Sequence, residues 1–535
     1  SAASGTNLKH KPLAAGQTFL AGSANPTEGS TGWALTSHGI SEKLFTVDSA
    51  GVIVSQVARS VKKHDKFSWE VNLKADYKFS DGTPVTAKLV ADALTQLNQN
   101  NSGAKASLGE MTMTPLDDLR LKIQSERATP VMDAVLAEWP FVVYLERDGN
   151  FFFTGPYAIE TFVKGAKIEL IPNPHYPRAS ERNLLVIKKF ADGQSLASAL
   201  EAGQLDMAFH LPVESLPTLR QTNDVIVKSF PVGYQYMMWY NTRRPQLSDL
   251  RVRKALDIAI DRHELTQEVR GGSATRSFFP YNTPYYLRDA QLHADRSGAA
   301  SLLDEAGWLK NANGIREKDG TPLSLDLVAY PQRPGLVTIQ PVIERTLAAL
   351  GIVVKTKVTS GTSWDELDQI TSSNDFDLLL WAQHTLPAGD PQFFINMFFR
   401  TGSKSNHAGL ASADVDGLID ALSHAGAGAD RVSAASEAHR AVLEQVPVSI
   451  LMTPSWHVGL SSRLAQYEPW GSDYYVFHAS FGLGAEQTTS PGPTESDDVN
   501  DASRVTLGGL SVAGLLLAAS VFFPGGKSQI VKNHR

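Results

Sequence analysis

The side chains that could do covalent or metal chemistry are few for a chain of 535 residues. Cysteine is absent, which excludes thiol nucleophiles, thiolate zinc sites, iron–sulfur ligation and disulfide frameworks together. Histidines such as His407, His457 and His478 fall into no metal-ligand spacing of the HExxH kind, so a core or solvated role is expected for each. Neither a GxSxG elbow nor a phosphate loop occurs. Aromatic faces, imidazoles and carboxylates remain, groups suited to holding a molecule, and an enzyme is not expected. A net charge of −7 offers no basic footprint, which argues against a nucleic-acid partner.

The elements that must position these groups alternate between strand and helix, which points to α/β lobes. Hydrophobic residues at 42% and charged residues at 20% describe a folded chain, and the length exceeds what one core usually serves. VNLKADYKFS reads as a strand and turn leading into the helical PVTAKLVADALTQLNQN, with Pro84 in its first turn. KIELIPNPHY, LLVIKKF and YQYMMWYNT read as strands. SLASALEAGQ, DLRVRKALDIAIDRHEL and AASLLDEAGW read as helices. TIQPVIERTLAALG places Ile339, Ile343, Leu347 and Leu350 on one helical face, with Gly351 as its stop.

Residues 69 to 87, WEVNLKADYKFSDGTPVTA, carry a more specific signal. Leu73, Lys74, Asp76, Phe79, Asp81, Gly82, Pro84 and Ala87 resemble the signature segment of the family 5 solute-binding proteins. The resemblance continues in order through TGPY (154 to 157), NPHY (173 to 176), ALEAGQLDMAF (199 to 209) and YNTRRPQLSDLRVRKALDIAIDR (240 to 262). LLDEAGW, GIREKDGTPLSLDL, FDLLLWA and GDPQFF complete it, covering roughly residues 20 to 480. Most of these blocks read as scaffold; Arg251 and Arg253 are expected to pair with carboxylates near the crossing between lobes.

The resemblance implies an α/β, two-lobed, periplasmic-binding-protein-like clamp with an extra subdomain in lobe one. Lobe one would span 1–243, with the subdomain at about 36–150; lobe two 244–459; and 460–485 would return to lobe one. The first crossing would then fall at about residues 241–248. It also implies a receptor without a cofactor, which closes on a small ligand and presents it to the membrane subunits of an ABC importer. An oligopeptide or dipeptide is the first ligand to expect; nickel or another metal chelate is the alternative, and a ligand sensor acting through a membrane partner is the rival from another class.

By family position the ligand-binding residues would be Trp33, Trp139, Trp381, His384, Asp390 and Tyr474, with Asp473 beside the last at the rim. The tryptophans could line a pocket for a flat or apolar ligand, although each taken alone is more often core. In WAQHTLPAGDPQFF, His384 stands where peptide-binding members carry an acid for the ligand's ammonium. Neutral imidazole is a poor partner for that group, so His384 would instead ligate a metal or meet an anion. Asp390 reads equally as a ligand contact or as a helix cap. In EWPF, Trp139 replaces the arginine of chelate-binding members, so neither subfamily pattern is met in full.

The far end of the chain changes character. Residues 505–523, VTLGGLSVAGLLLAASVFF, are uncharged over about the length that spans ~30 Å of hydrocarbon. A linker rich in Pro, Ser, Thr and acids (486–504) precedes them, and a tail with Lys527, Lys532 and Arg535 (524–535) follows. A transmembrane helix with an inside tail is therefore expected, which would anchor the receptor at the cell surface or in the periplasm. SAASG at the start would suit a mature N-terminus after signal cleavage.

Overall fold

The computed structural model describes residues 11–48, 53–281, 283–288 and 292–483. The linker, the apolar run 505–523 and the basic tail lie outside the described residues. Among the described residues no helix is long and apolar enough to cross a membrane.

Two runs show why the chain builds two sheets. In YQYMMWY every residue of the strand Tyr234–Tyr240 is buried, because this strand is internal to a sheet covered on both faces. The strand Val448–Thr453 beside it is buried throughout for the same reason. These two belong to a six-stranded sheet with Ser273–Ala274, Leu378–His384, Ser324–Ala329 and Val353–Val358. A seven-stranded sheet gathers Tyr157–Val163, Lys167–Pro172, Leu185–Lys189, Leu13–Gln17, Met207–Phe209, Ser455–Ser461 and Val225–Pro231.

The chain passes between the sheets at two places. Val225–Pro231 ends in the first sheet and Tyr234–Tyr240 begins in the second, so the outward crossing is at Val232 and Gly233. Thr453 and Ser455 lie in different sheets on either side of Pro454, which makes the return crossing. The step expected at about 241–248 is instead a pair of helix starts, Pro245–Ser248 and Leu250–Ala259. Proline at the first helical position and Asp249, whose side chain caps the second helix at Arg251 N–H, account for that shift. Arg251 does pair with a carboxylate, Asp249, while Arg253 donates to four backbone carbonyls and to none.

A four-stranded antiparallel sheet, Ala58–Asp65, Ser68–Leu73, Arg120–Ser125 and Met111–Pro115, forms a separate layer beside the first lobe. The signature segment makes the turn from this sheet into the helix Ala87–Asn100. Gly82 takes φ +88°, and Asp81 accepts from the Thr83 N–H at 2.9 Å. The helix begins later than the sequence suggests. Thr86 caps it through Leu89 N–H, and Pro84 is held outside in a bridge to Lys78.

The helix Pro334–Ala349 follows its pattern: Ile339, Ile343 and Leu347 are fully buried, and Gly351 ends the run at φ +91°. The lobes are shut upon each other. Thr18 Oγ1 donates to Gln332 O at 2.8 Å, Thr338 Oγ1 to Glu214 Oε1 at 3.1 Å, and Lys189 Nζ to Gly361 O. A Cβ at Gly361 would lie 1.7 Å from Ala191 O, so only glycine permits this approach at the rim.

Candidate functional site

Arg333 immediately precedes the helix Pro334–Ala349, just beyond the carboxyl end of the strand Ser324–Ala329. Its guanidinium enters the space between the lobes and is 4% exposed. Four aromatic rings surround it, their centroids 5.4 to 5.5 Å from its central carbon: Phe19, Trp33, Tyr234 and Trp456. Phe19 and Trp33 belong to the first lobe, while Tyr234 and Trp456 begin the strands that leave the two crossings. Each ring face attracts the cation, and removal of water strengthens that attraction to about 2 kcal/mol or more.

One carboxylate balances the charge. Asp473, wholly buried in the segment returning to the first lobe, accepts from Arg333 Nη2 at 2.6 Å and from the Tyr234 hydroxyl. Burial raises the Asp473 carboxyl above its ordinary range, and Arg333 and Tyr234 pull it back. The Trp33 indole also favours its charged form, although its N–H falls short of hydrogen-bond geometry. Arg333 stays charged: burial opposes this, but Asp473 and the surrounding tyrosines outweigh burial and raise the guanidinium further.

Arg333 Nε and Nη1 have no partner among the described residues. Gln17, at the end of the strand Leu13–Gln17, is fully buried with both amide atoms unpartnered, and Gln332 Oε1 is unpartnered too. Across the same space lies His210, with both ring nitrogens unpartnered and its ring 4.2 Å from Trp456. Burial, Arg333 and His457 together push His210 well below its ordinary pKa. Its backbone adopts φ +74°, a left-handed conformation that costs a non-glycine residue about 1 kcal/mol or more. Buried polar groups normally find partners, so unpartnered donors and acceptors gathered around one cation make this space the candidate site.

His384 ends the strand Leu378–His384 opposite Tyr234. Its ring stands 5.3 Å from Tyr234 and 5.2 Å from Tyr474, against Gly233 at the crossing; a Cβ there would come within 2.7 Å. Burial lowers its pKa to about 3. Nδ1 accepts from Leu386 N–H at 3.3 Å, which leaves the proton on Nε2. This tautomer presents a donor rather than a metal-ligating lone pair. No step in ligand affinity from about pH 5 to about pH 8 is therefore expected from this ring. NMR of the imidazole checks it; titration near the ordinary 6.5 would contradict the burial.

The structure brings Trp33, His384 and Tyr474 together around Arg333, with Trp33 and Tyr474 at 6.2 Å. Trp381 is half-buried and reaches this group through Tyr330 and Trp364, and its Nε1 donates to Gln383. The Trp139 ring packs on Gly103 of the helix Ser102–Leu108, while its carbonyl lies against Gly32, next to Trp33. Asp390 proves not to be a free acid: it is bound by Arg431 through two hydrogen bonds of 2.5 and 2.8 Å and accepts from Gln392 N–H. The bond to Gln392 N–H lies at the start of the helix Gln392–Phe399, and the buried carboxylate is held chiefly by Arg431. Arg333, Gln17 and His210 went unnoticed in the sequence, although an arginine between a strand's carboxyl end and a proline-led helix was a usable signal for Arg333. Among the described residues no group of three or more His, Asp or Glu could hold a metal ion.

Residues 52–406 match the model of the bacterial extracellular solute-binding proteins, family 5. This chain belongs to that family. The nickel-binding protein NikA of Staphylococcus aureus is 23% identical over 80% of this chain and 86% of its own length. Its crystal structure in complex with Ni(L-His)2 superposes with a TM-score of 0.80 at 22% identity, covering 88% of this chain and 98% of that one. The oligopeptide-binding protein AppA of Bacillus subtilis is 25% identical over 77% of this chain and 80% of its own. AppA in complex with a nonapeptide gives a TM-score of 0.74 at 18% identity, covering 87% of this chain and 97% of that one.

Proposed function

We propose that this chain captures a small carboxylate-bearing solute outside the cell membrane and delivers it to an ABC importer. The observation that carries this reading is Arg333, a buried guanidinium with two unpartnered N–H-bearing nitrogens amid four aromatic rings. A carboxylate approaching Nε and Nη1 would gain charge-assisted hydrogen bonds, stronger than neutral ones, in a site from which water is excluded. The rings and the Nε2–H of His384 would orient the remainder. Closure over the ligand would give the importer a loaded state to recognise.

A short peptide, bound through its C-terminal carboxylate, is the first ligand to test. An amino-acid chelate of nickel is the second reading, and a specific observation favours it. The acids near the site are engaged, Asp473 by Arg333 and Asp390 by Arg431, whereas a peptide's ammonium wants an acid of its own. In a chelate the amine is taken by the metal. Native mass spectrometry of protein purified without added ligand separates the two: a peptide-mass adduct without metal rules out the chelate, and nickel with an amino acid rules out the peptide. An adduct without any carboxylate overturns the reading of Arg333.

The apolar run 505–523 would tether the receptor to the membrane. Release by proteolysis within about residues 485–503 supports that tether, and release without cleavage counts against it.

A further inference from the structure

Away from the Arg333 guanidinium, the lobes meet at a second, half-buried polar contact. The helix Ser102–Leu108 of the first-lobe subdomain packs against the helix Gln392–Phe399 of the second, and Asn396 Nδ2 donates to Ala106 O across the joint. Beneath that contact lies Glu138, 1% exposed, with Oε2 accepting from Ser107 Oγ at 2.5 Å. Glu138 and Ser107 are on the first lobe's side; the Asp390–Arg431 pair faces them from the second.

We propose that Glu138 is a proton-operated latch: the lobes close with its carboxyl protonated, and its ionisation favours the open clamp. This rests on the reading of the chain as a closing receptor. Arg431 cannot serve Glu138 as a full counter-charge, because Asp390 takes Nε and Nη2, Gln392 shares Nη2, and the carbonyls of Leu422 and Ala425 take Nη1. A charged Glu138 in the closed joint would be a second carboxylate beside one guanidinium, with no water to screen it.

Among the charged and titratable groups around the contact, Glu138 is the carboxyl set against its charged form; Arg127 donates to Ala106 O at 2.8 Å and Arg400 to Asn396 Oδ1 at 2.6 Å, and neither bonds to it. Burial and Asp390 raise its carboxyl well above 4.5, against the pull of Ser107 and Arg431. Tyr474, whose hydroxyl also feels Glu138, and Tyr285, beside the Asp390–Arg431 pair, are both pushed above the ordinary tyrosine range by burial and stay neutral. Arg431 is held charged by Asp390. In the open clamp water would reach Glu138 and Asp390 would withdraw, so its carboxyl would return towards 4.5.

The sign follows from linkage. The closed state holds one more proton than the open one between the two pKa values, so rising pH shifts the equilibrium towards the open clamp, by up to about tenfold per pH unit. Below the open-state value both states are protonated and the dependence vanishes. Raised pH should therefore loosen the grip on ligand by opening the clamp, and Tyr474 links Glu138 to the Arg333 site.

Small-angle X-ray scattering of the purified protein without added ligand, from about pH 5 to about pH 9, tests this. The wild type should expand as pH rises, while Glu138→Gln, which keeps the volume and the bond from Ser107 but cannot ionise, should stay compact throughout. Circular dichroism on the same samples distinguishes opening from unfolding. A wild-type radius that does not change with pH overturns the latch, as does a Glu138→Gln protein that expands as the wild type does. Neither result needs a ligand, so failure of the latch is separable from failure of the receptor reading, which the native mass spectra decide.

Discussion

Arg333→Ala should abolish ligand retention and destabilise the protein by about 3–5 kcal/mol, the range found when one partner of a buried ion pair is removed. Both effects have one origin. The guanidinium is the counter-charge of Asp473, which is wholly buried, and its two remaining nitrogens are the donors offered to a ligand. Without it, Asp473 keeps the Tyr234 hydroxyl but loses its cation, and four rings close on a void. A loss of binding alone could then reflect collapse of the site. The double variant Arg333→Met with Asp473→Asn separates the causes. Removing both charges together should restore most of the stability, because no uncompensated ion remains, while ligand adducts stay absent from native mass spectra. Chemical denaturation measures the first effect. Ligand retained at wild-type level by the double variant would refute the carboxylate contact.

How much of this was legible before the fold is best judged residue by residue. The helix Pro334–Ala349 was readable because a buried face imposes a spacing of three and four, and Ile339, Ile343 and Leu347 obey it. The signature turn was readable because Asp81 and Gly82 answer a local backbone need. The lobe crossing was misplaced since Val232–Gly233 and Pro454 carry no composition unlike that of an ordinary turn; only the pairing of Tyr234–Tyr240 with Leu378–His384 reveals the change of sheet. Trp33, His384 and Tyr474 could be nominated by family position, yet Arg333 and Asp473 are 140 residues apart, and their pairing is a fact of the closed clamp. The unpartnered atoms of Gln17 and His210 are likewise tertiary: polarity is written in the residue, but lack of a partner is not.

Arg431→Ala should cost a similar 3–5 kcal/mol while changing affinity at the Arg333 site much less, and the contrast tests what distinguishes scaffold from site. Arg431 is as deeply buried as Arg333, and it too has a single principal carboxylate, Asp390. The difference is saturation. Every nitrogen of Arg431 is engaged, by Asp390, Gln392 and the carbonyls of Leu422 and Ala425. Arg262 and Arg316, equally buried, are saturated in the same manner by backbone carbonyls and one acid each. A guanidinium with no spare donor can only hold its own fold together; one with donors left over, ringed by aromatic faces at the hinge, is placed to hold something else. Removing Arg431 leaves Asp390 a buried carboxylate without its cation, so the melting temperature should fall sharply. Adding Asp390→Asn should recover much of the loss by removing the stranded charge. Denaturation of the single and double variants reads the stability, and native mass spectra read the retained ligand. If Arg431→Ala loses ligand as completely as Arg333→Ala while remaining folded, saturation is not the property that separates the two arginines.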